Sequence, residues 1–155
     1  MSLISSILPV SNIVLDLPAT SKKRAFEHAA LIFENHHGLA RLTVFDSLFA
    51  RERLGSTALG YGVAVPHGRI KGLDQPVATF IRLAQPVPFD APDGQPVRVL
   101  MFLLVPEVAT QQHLEILAEL AHMLSSKDLR QALLDASTPE AVHAILHDWQ
   151  PAPDA

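Results

Sequence analysis

Residues 97–105 read VRVLMFLLV and are almost wholly apolar. A strand that is apolar on both sides is covered on both faces of its sheet, so this segment predicts a buried central β-strand. Residues 77–84 predict a second strand, because their apolar side chains alternate in part. Between the two, residues 85–96 contain four prolines and the turn signal Asp93-Gly94, which predict a stiff, ordered connection.

Apolar residues at helical spacing predict helices on both sides of these strands. Residues 21–37 predict an amphipathic helix that ends at Gly38. Thr43 and Asp46 have the spacing of a capping box and predict the start of a second helix, which ends at Gly55. Three more helices are predicted after the central strand: residues 111–125, residues 129–134, and a last helix that Ser137 and Glu140 cap and that runs to Trp149.

Helices before and after buried strands predict a single three-layer α/β domain. The chain has 155 residues, of which 48% are hydrophobic and 18% charged, and this composition excludes disorder as its main state. No repeat or low-complexity linker divides it. We therefore expect one domain over residues 1–150 and a disordered tail over residues 151–155.

Composition also excludes several classes of function. The chain has no cysteine, so it can form no disulfide, zinc ribbon or thiol nucleophile. Its formal charge of −4 argues against a nucleic-acid partner. No apolar run reaches the roughly 18 residues of a membrane span, and residues 1–18 lack the basic leader of a secretion signal. A cytoplasmic protein without membrane insertion is expected.

Residues 41–82 carry a local excess of positive charge. Six basic and three acidic side chains fall in this stretch, although the whole chain is acidic. Such a stretch is typical of a protein that handles a small anion. A chance cluster of solvated charges is the alternative interpretation.

His67 stands out among the eight histidines. The segment GYGVAVPHG, residues 60–68, predicts a short, turn-rich strand region that delivers His67 into a loop, because Pro66 cannot donate to a strand ladder. Gly68 lets a partner backbone approach closely. A neutral imidazole beside basic groups suits a phosphoryl acceptor, and Arg51 could hold two phosphate oxygens. From the residues alone, a loop histidine bonded to backbone is equally well supported.

His113 is the other histidine in a suggestive position. It falls in the first turn of the helix after the central strand, where α/β proteins tend to bind ligands and where backbone N–H groups attract anions. The alternative is a polar residue at a helix start. The remaining paired histidines, His36 with His37 and His143 with His147, are expected to face solvent, because neither pair has a complete set of metal ligands. No dinucleotide or nucleotide motif is present, so no cofactor and no metal are expected.

Three motifs resemble the fructose/mannitol-type enzyme IIA domains of the bacterial phosphotransferase system: RERLGST at residues 51–57, GYGVAVPHG at residues 60–68 and QHL at residues 112–114. The segment FDAPDGQPV, residues 89–97, is similar in particular to the nitrogen-regulatory enzyme IIA proteins. The resemblance covers residues 3–146, with the motifs in the family's order. Small departures at Ala58, Leu59 and Tyr61 remove no proposed functional group.

The resemblance implies a mixed parallel and antiparallel sheet flanked by helices on both sides. It also implies that His67 is the phosphorylated nucleophile, that Arg51 binds the phosphate, and that His113 is a second active-site histidine that positions the phosphate through an N–H group. The ring nitrogen of His67 farther from the backbone is then the acceptor.

The function expected from this resemblance is that of a nitrogen-related phosphocarrier, a protein phosphotransferase rather than a small-molecule enzyme. It accepts a phosphoryl group from an HPr-like carrier protein and regulates targets such as transporters or sensor kinases according to its phosphorylation state. Two alternatives stay open. One is a sugar-specific enzyme IIA that passes phosphate to a IIB domain, and the other is an anion-binding regulatory module that is never phosphorylated.

Overall fold

The structure, a computed structural model, describes residues 2–108 and 111–151. The six helices of these residues are α1 Leu3–Ser6, α2 Lys22–His37, α3 Arg41–Leu54, α4 Gln111–Leu124, α5 Lys127–Asp135 and α6 Pro139–Asp148. The six strands are β1 Ile13–Leu17, β2 Ala58–Gly60, β3 Val63–Ala64, β4 His67–Ile70, β5 Val77–Val87 and β6 Val97–Pro106. Residues 152–155 lie outside the described part, so the expected tail and the domain boundary at residue 150 stay predictions.

Strand β6 lies at the centre of the sheet, as the apolar run predicts. It pairs antiparallel with β5 on one side, and β5 pairs parallel with β1. On its other side β6 pairs parallel first with β3 and then with β4, and β3 pairs antiparallel with β2. The sheet is therefore mixed, as the resemblance implies.

Two apolar cores cover the two faces of this sheet. One core joins the sheet to α1, α4, α5 and α6. The other joins it to α2 and α3. Successive side chains of a strand point to opposite faces, so β6 contributes Met101 and Leu103 to the first core and Leu100 and Phe102 to the second. The predicted three-layer α/β architecture is confirmed.

The predicted helix starts need two corrections. Helix α3 begins at Arg41 rather than at Thr43, because the Glu34 carboxylate of α2 accepts a hydrogen bond from the Arg41 N–H (2.9 Å) and replaces a local cap. The N-cap of α6 is Thr138 rather than Ser137, and its hydroxyl accepts from the Ala141 N–H (3.1 Å). Strand β1 had no counterpart in the sequence prediction.

The expected loop at His67 is a strand. Pro66 cannot donate a hydrogen bond, but its carbonyl accepts one from the Leu103 N–H (2.9 Å), so the chain keeps its place along β6. Pairing then resumes with His67 opposite Leu103. Pro66 therefore separates β3 from β4, but both strands pair with β6.

No helix among the described residues combines the length and the apolar character that crossing a membrane requires.

Candidate active site

His67, Arg51 and His113 line one cavity of about 720 Å³. They come from three different elements: β4, the last turn of α3 and the first turn of α4. The sequence separates His67 from His113 by more than forty residues, and only the sheet brings β4 and the start of α4 to the same side of the molecule. The three residues singled out from the sequence are thus brought together.

The ring of His67 is half-buried and held in one orientation. Its Nδ1 lies 2.9 Å from the Val65 carbonyl oxygen, which can only accept a hydrogen bond. Nδ1 therefore carries the hydrogen, and in the neutral ring Nε2 keeps an unshared electron pair. The bond fixes both the tautomer and the nitrogen that can act as a nucleophile.

Gly68 sets the distance between β4 and α3. A Cβ atom on this residue would lie 3.1 Å from the Ser47 carbonyl carbon and 3.2 Å from the Leu48 nitrogen, and closer still to the Ser47 hydroxyl. The Ser47 hydroxyl in turn donates to the Arg69 carbonyl (2.8 Å). The close approach predicted at Gly68 is therefore made by a helix of the same chain rather than by a partner protein.

Arg51 lies one helical turn beyond Ser47 and therefore enters the cavity beside His67. Its Nη1 donates to the Gly55 carbonyl (2.8 Å), just past the end of α3. This bond uses one of the five guanidinium N–H groups and leaves a planar fork that matches the geometry of phosphate oxygens. Arg51 is only partly exposed, so its position is defined by its surroundings.

Glu52 is buried beside this arginine and anchors the segment that follows α3. Its carboxylate accepts hydrogen bonds from the Thr57 N–H (3.2 Å to each oxygen) and from the Thr57 hydroxyl (2.5 Å). It also forms an ion pair with Lys22 of α2 (2.8 Å). Glu52 thus holds residues 55–57, whose Gly55 carbonyl contacts Arg51.

His113 is buried, with 7% of its surface exposed. It is the third residue of α4, where several backbone N–H groups have no partner within the helix. An anion in the cavity is favoured near such a helix start. The sequence placed this residue correctly relative to the helix, and the structure adds that it lines the same cavity as His67.

A second, smaller cavity of about 270 Å³ adjoins the first, and both His67 and Arg51 line it. The hydroxyl-bearing residues Ser56 and Thr57 line it as well. Two leucines at the larger cavity are strongly exposed: Leu54 at 86% and Leu114 at 63%. An apolar rim around a charged centre is typical of a protein-docking surface.

Sequence reasoning gave no role to several lining residues. Arg69 is an exposed arginine of the larger cavity, and the sequence prediction treated it only as one of the basic groups near His67. Its spacing of two from His67 was the available signal that it lines the same cavity, because alternate residues of a strand share a face. Ser47, Leu54 and Leu114 carried no local signal, since their place in the cavity depends on how α3 and α4 pack.

The basic residues of the stretch 41–82 do not all lie at the cavity beside His67. Arg51 and Arg69 line the cavity, but Arg82 is buried on another part of the sheet. Its guanidinium bonds both carboxylate oxygens of Asp16 (3.1 and 3.0 Å) and three carbonyl oxygens at the end of α5. Hydrogen bonding to Arg82 holds the pKa of Asp16 below its ordinary value.

The expectation that the paired histidines face solvent is wrong for two of the four. His37 is half-buried, and its Nε2 accepts a hydrogen bond from the side-chain amide nitrogen of the fully buried Asn12 (2.7 Å). His36 Nδ1 donates to the side-chain amide oxygen of the same Asn12 (2.9 Å). His143 is half-buried, and its Nε2 lies 3.2 Å from the Ser5 carbonyl. Within residues 2–108 and 111–151, no three metal-ligating side chains cluster.

Comparison with known proteins identifies the family to which this fold corresponds. Residues 6–149 match the family model described as phosphoenolpyruvate-dependent sugar phosphotransferase system, EIIA 2. Because the match spans most of the chain, the chain belongs to this family.

Among individual relatives, the chain is 43% identical over 148 residues to the nitrogen regulatory protein of Pseudomonas aeruginosa, covering 95% of this chain and 96% of that protein. It also superposes on the crystal structure of nitrogen regulatory protein IIA-Ntr from Neisseria meningitidis with a TM-score of 0.89 and 54% identity, covering 94% of this chain and 99% of that one. A fructose-specific EIIA component from Haloferax volcanii is 33% identical over 144 residues, covering 92% of this chain and 94% of that protein.

Proposed function

We propose that this chain is the phosphocarrier of a nitrogen-related phosphotransferase system and that His67 carries the phosphoryl group. The single observation that carries the assignment of the site is the cavity that His67, Arg51 and His113 share. Family membership and the two nitrogen regulatory relatives support the nitrogen-related branch. Such a relay operates in the cytoplasm, where we expect the protein to act.

Transfer begins with a phosphohistidine on an HPr-like carrier protein. The electron pair on His67 Nε2 attacks the phosphorus atom in line, and the bond between phosphorus and the donor's ring nitrogen breaks, returning its electron pair to the donor ring. His67 keeps its hydrogen on Nδ1, where the Val65 carbonyl accepts it. Donor and product are both phosphohistidines, so the step is reversible.

Charge stabilisation is the main contribution of the protein to this reaction, because phosphoryl transfer depends on positioning and on compensating the oxygen charges. The Arg51 fork can hold two phosphate oxygens, and an N–H group of His113 can hold a third. The exposed Leu54 and Leu114 at the rim fit the docking of a carrier protein over the cavity.

Phosphorylation adds a charge of about −1.5 to −2 at the cavity. This change in charge at the apolar rim can change whether a partner surface binds the free protein or the phosphorylated protein more tightly. We therefore infer that the free and phosphorylated forms bind different targets, such as transporters or sensor kinases. Pull-downs with both forms test this inference: identical partner sets would contradict it.

The decisive experiment is incubation of the protein with a complete phosphoenolpyruvate-driven relay, followed by intact-mass measurement. We expect one acid-labile phosphoryl group, which His67→Ala abolishes. His147→Ala is the matched control, since this exposed histidine lies on α6 and lines neither cavity at His67. Label that persists in His67→Ala overturns the assignment of the phosphorylated residue. No label on the wild-type chain would instead favour the anion-binding module that is never phosphorylated.

A sugar-specific enzyme IIA is the second candidate, and the fructose-specific relative favours it. That relative is 33% identical, compared with 43% and 54% for the nitrogen regulatory proteins, so this candidate is weaker. Transfer from the phosphorylated protein to a purified sugar-specific IIB domain distinguishes the two. Rapid, complete transfer would support a role in sugar transport.

A further inference from the structure

A groove between α2 and α3 is larger than the cavity at His67 and shares no lining residue with it. We call it the α2–α3 groove. Its volume is about 860 Å³, within the range of small-molecule sites. Its walls are α2, the first turns of α3, and the segment that joins β1 to α2. Its apolar members are Leu17, Leu31, Leu42 and Phe45, together with Pro18 and Ala19.

Leu42 is the most unusual of these apolar residues, because 74% of its surface is exposed. It lies in the first turn of α3, beside Arg41. Phe45, one turn further on, is half-buried and stacks on Phe49 with the ring centroids 5.2 Å apart. The groove therefore has the stacked ring of Phe45 on one side and the exposed side chain of Leu42 at its rim. Together these apolar surfaces favour an apolar occupant.

The rim of the groove is cationic. Lys23 and Arg24 line it from α2 and Arg41 lines it from α3, against Glu27 as the sole carboxylate among the lining residues of the described chain. Glu27 is already paired with Arg24 (3.1 Å). The lining thus carries a formal charge of +2 on a chain whose formal charge is −4. Local charge of this sign attracts an anion and disfavours a cation.

From the apolar wall and the cationic rim together, we propose that the α2–α3 groove binds a small amphipathic anion, a carboxylate or phosphate ester with an apolar body. The apolar part lies against Leu42 and Phe45, and the charged head lies beside Arg41. Lys23 and Arg24 line the opposite end of the groove and add to its positive charge. A simple inorganic anion would leave the apolar wall wet, and a neutral apolar molecule would leave the cations without a partner. The site is independent of phosphoryl transfer at His67.

The test uses decanoate as the probe, below its micelle-forming concentration, in calorimetric titrations of the full chain. We expect saturable binding of one decanoate per chain. Hexanoate should bind at least about tenfold more weakly, because each buried methylene strengthens binding several-fold. Decanol should bind more weakly than decanoate, since it lacks the charge, and acetate should give no measurable binding.

Three variants locate the site. Arg41→Glu, beside the charged head, should weaken decanoate binding by about fivefold or more, and Lys23→Glu, at the far end of the groove, should weaken it less. Both positions lie in the first turn of a helix, where an acidic residue is compatible with the helix dipole, so neither change should unfold the protein. Leu42→Asp, at an exposed position, should weaken binding further.

Lys127→Glu is the matched control, because it makes the same charge change in the first turn of α5, outside the groove. It should leave decanoate binding unchanged, and all variants should still accept phosphate on His67. The proposal is overturned if decanoate shows no saturable binding, as expected of a groove that docks only a protein. It is equally overturned if decanol binds as tightly as decanoate, or if the groove variants and Lys127→Glu behave alike.

Discussion

Gly68 and Ser47 lie so close that no side chain fits between them. A Cβ atom on Gly68 would contact the Ser47 hydroxyl and the backbone of α3 at Ser47 and Leu48. Strand β4 carries His67, one residue before Gly68, and helix α3 carries Arg51, one turn after Ser47. The spacing of the proposed phosphate site therefore depends on the absence of a side chain at position 68.

Gly68→Ala should push α3 away from β4. We expect a loss of stability of about 1–3 kcal/mol, typical of overpacking, and slower phosphorylation of His67. Urea unfolding and relay-driven phosphorylation measure the two effects. Ser47→Ala in the same chain should restore part of the loss, because it removes the nearest atom but leaves the backbone contacts. Gly55→Ala, where a Cβ meets open space, is the stability control. Equal losses of stability in Gly68→Ala and Gly55→Ala would contradict this account.

Glu52→Gln should weaken the anchor of residues 55–57. The substitution removes the charge that Lys22 pairs with and one of the oxygens that Thr57 donates to. Hydrogen bonds to a buried charged group contribute about 1.5–3 kcal/mol, and we expect a destabilisation of that size by urea unfolding.

The same variant should slow phosphoryl transfer more than it weakens carrier binding, because Glu52 acts on Arg51 through the Gly55 carbonyl. Saturation kinetics with the carrier protein separate the two effects. Combining Glu52→Gln with Lys22→Met should recover stability, since no unpaired cation remains. A double variant that is less stable than Glu52→Gln alone would disprove the pairing.

Arg51→Lys keeps the positive charge but loses the planar fork. We expect roughly a tenfold to hundredfold decrease in the rate of phosphoryl transfer, because one preorganised donor arrangement is lost. Rapid-quench measurement of His67 phosphorylation gives the rate. Arg53→Lys is the matched control, two residues further along α3 and exposed to solvent. Similar rates for both variants would exclude a bidentate role for Arg51.

Asp16 should make stability depend on pH in the acid range. Arg82 holds the pKa of Asp16 below its ordinary value of 3.8, so the folded state binds this proton less readily than the unfolded state. The resulting stability is fully present above pH 3.8 and is lost as the pH falls through the folded pKa. Urea unfolding from pH 5 to pH 2.5 should show a steeper decline for the wild-type chain than for Asp16→Asn. Parallel profiles would refute the prediction.

His37 should add a second dependence near neutral pH. Its burial, with a smaller effect from His36, lowers the pKa of His37 below its ordinary value of 6.5. Neutral His37 accepts from the Asn12 amide, and protonation replaces that acceptor with a donor. Stability is therefore full above about pH 6.5 and falls as the pH drops through the folded pKa. His37→Gln should flatten the stability profile between pH 7 and pH 5, and a profile as steep as that of the wild-type chain would contradict the prediction.

Local patterns were sufficient for much of the fold. The almost wholly apolar run of β6 identified the central strand, because a strand buried on both faces has little need of polar residues. Helix α2 was predicted within one residue, since the Ser21 cap and Gly38 stop act through their own backbone neighbours. The start of α3 was missed because its cap is the carboxylate of Glu34, a residue of another helix. Strand β1 was missed because its pairing partner β5 lies more than sixty residues further along the chain.

The sequence by itself determined which residue types the site contains: a histidine after proline and before glycine, an arginine near a helix end, and a histidine in a helix first turn. Only the tertiary structure decided that these residues share one cavity, that His67 begins a strand, and that its Nδ1–H is used by the Val65 carbonyl. It also decided that Arg82 stabilises the fold rather than binding an anion. The physical reason is that charge and hydrogen bonding act over a few ångströms in space, and distances in space follow from how the helices pack on the sheet.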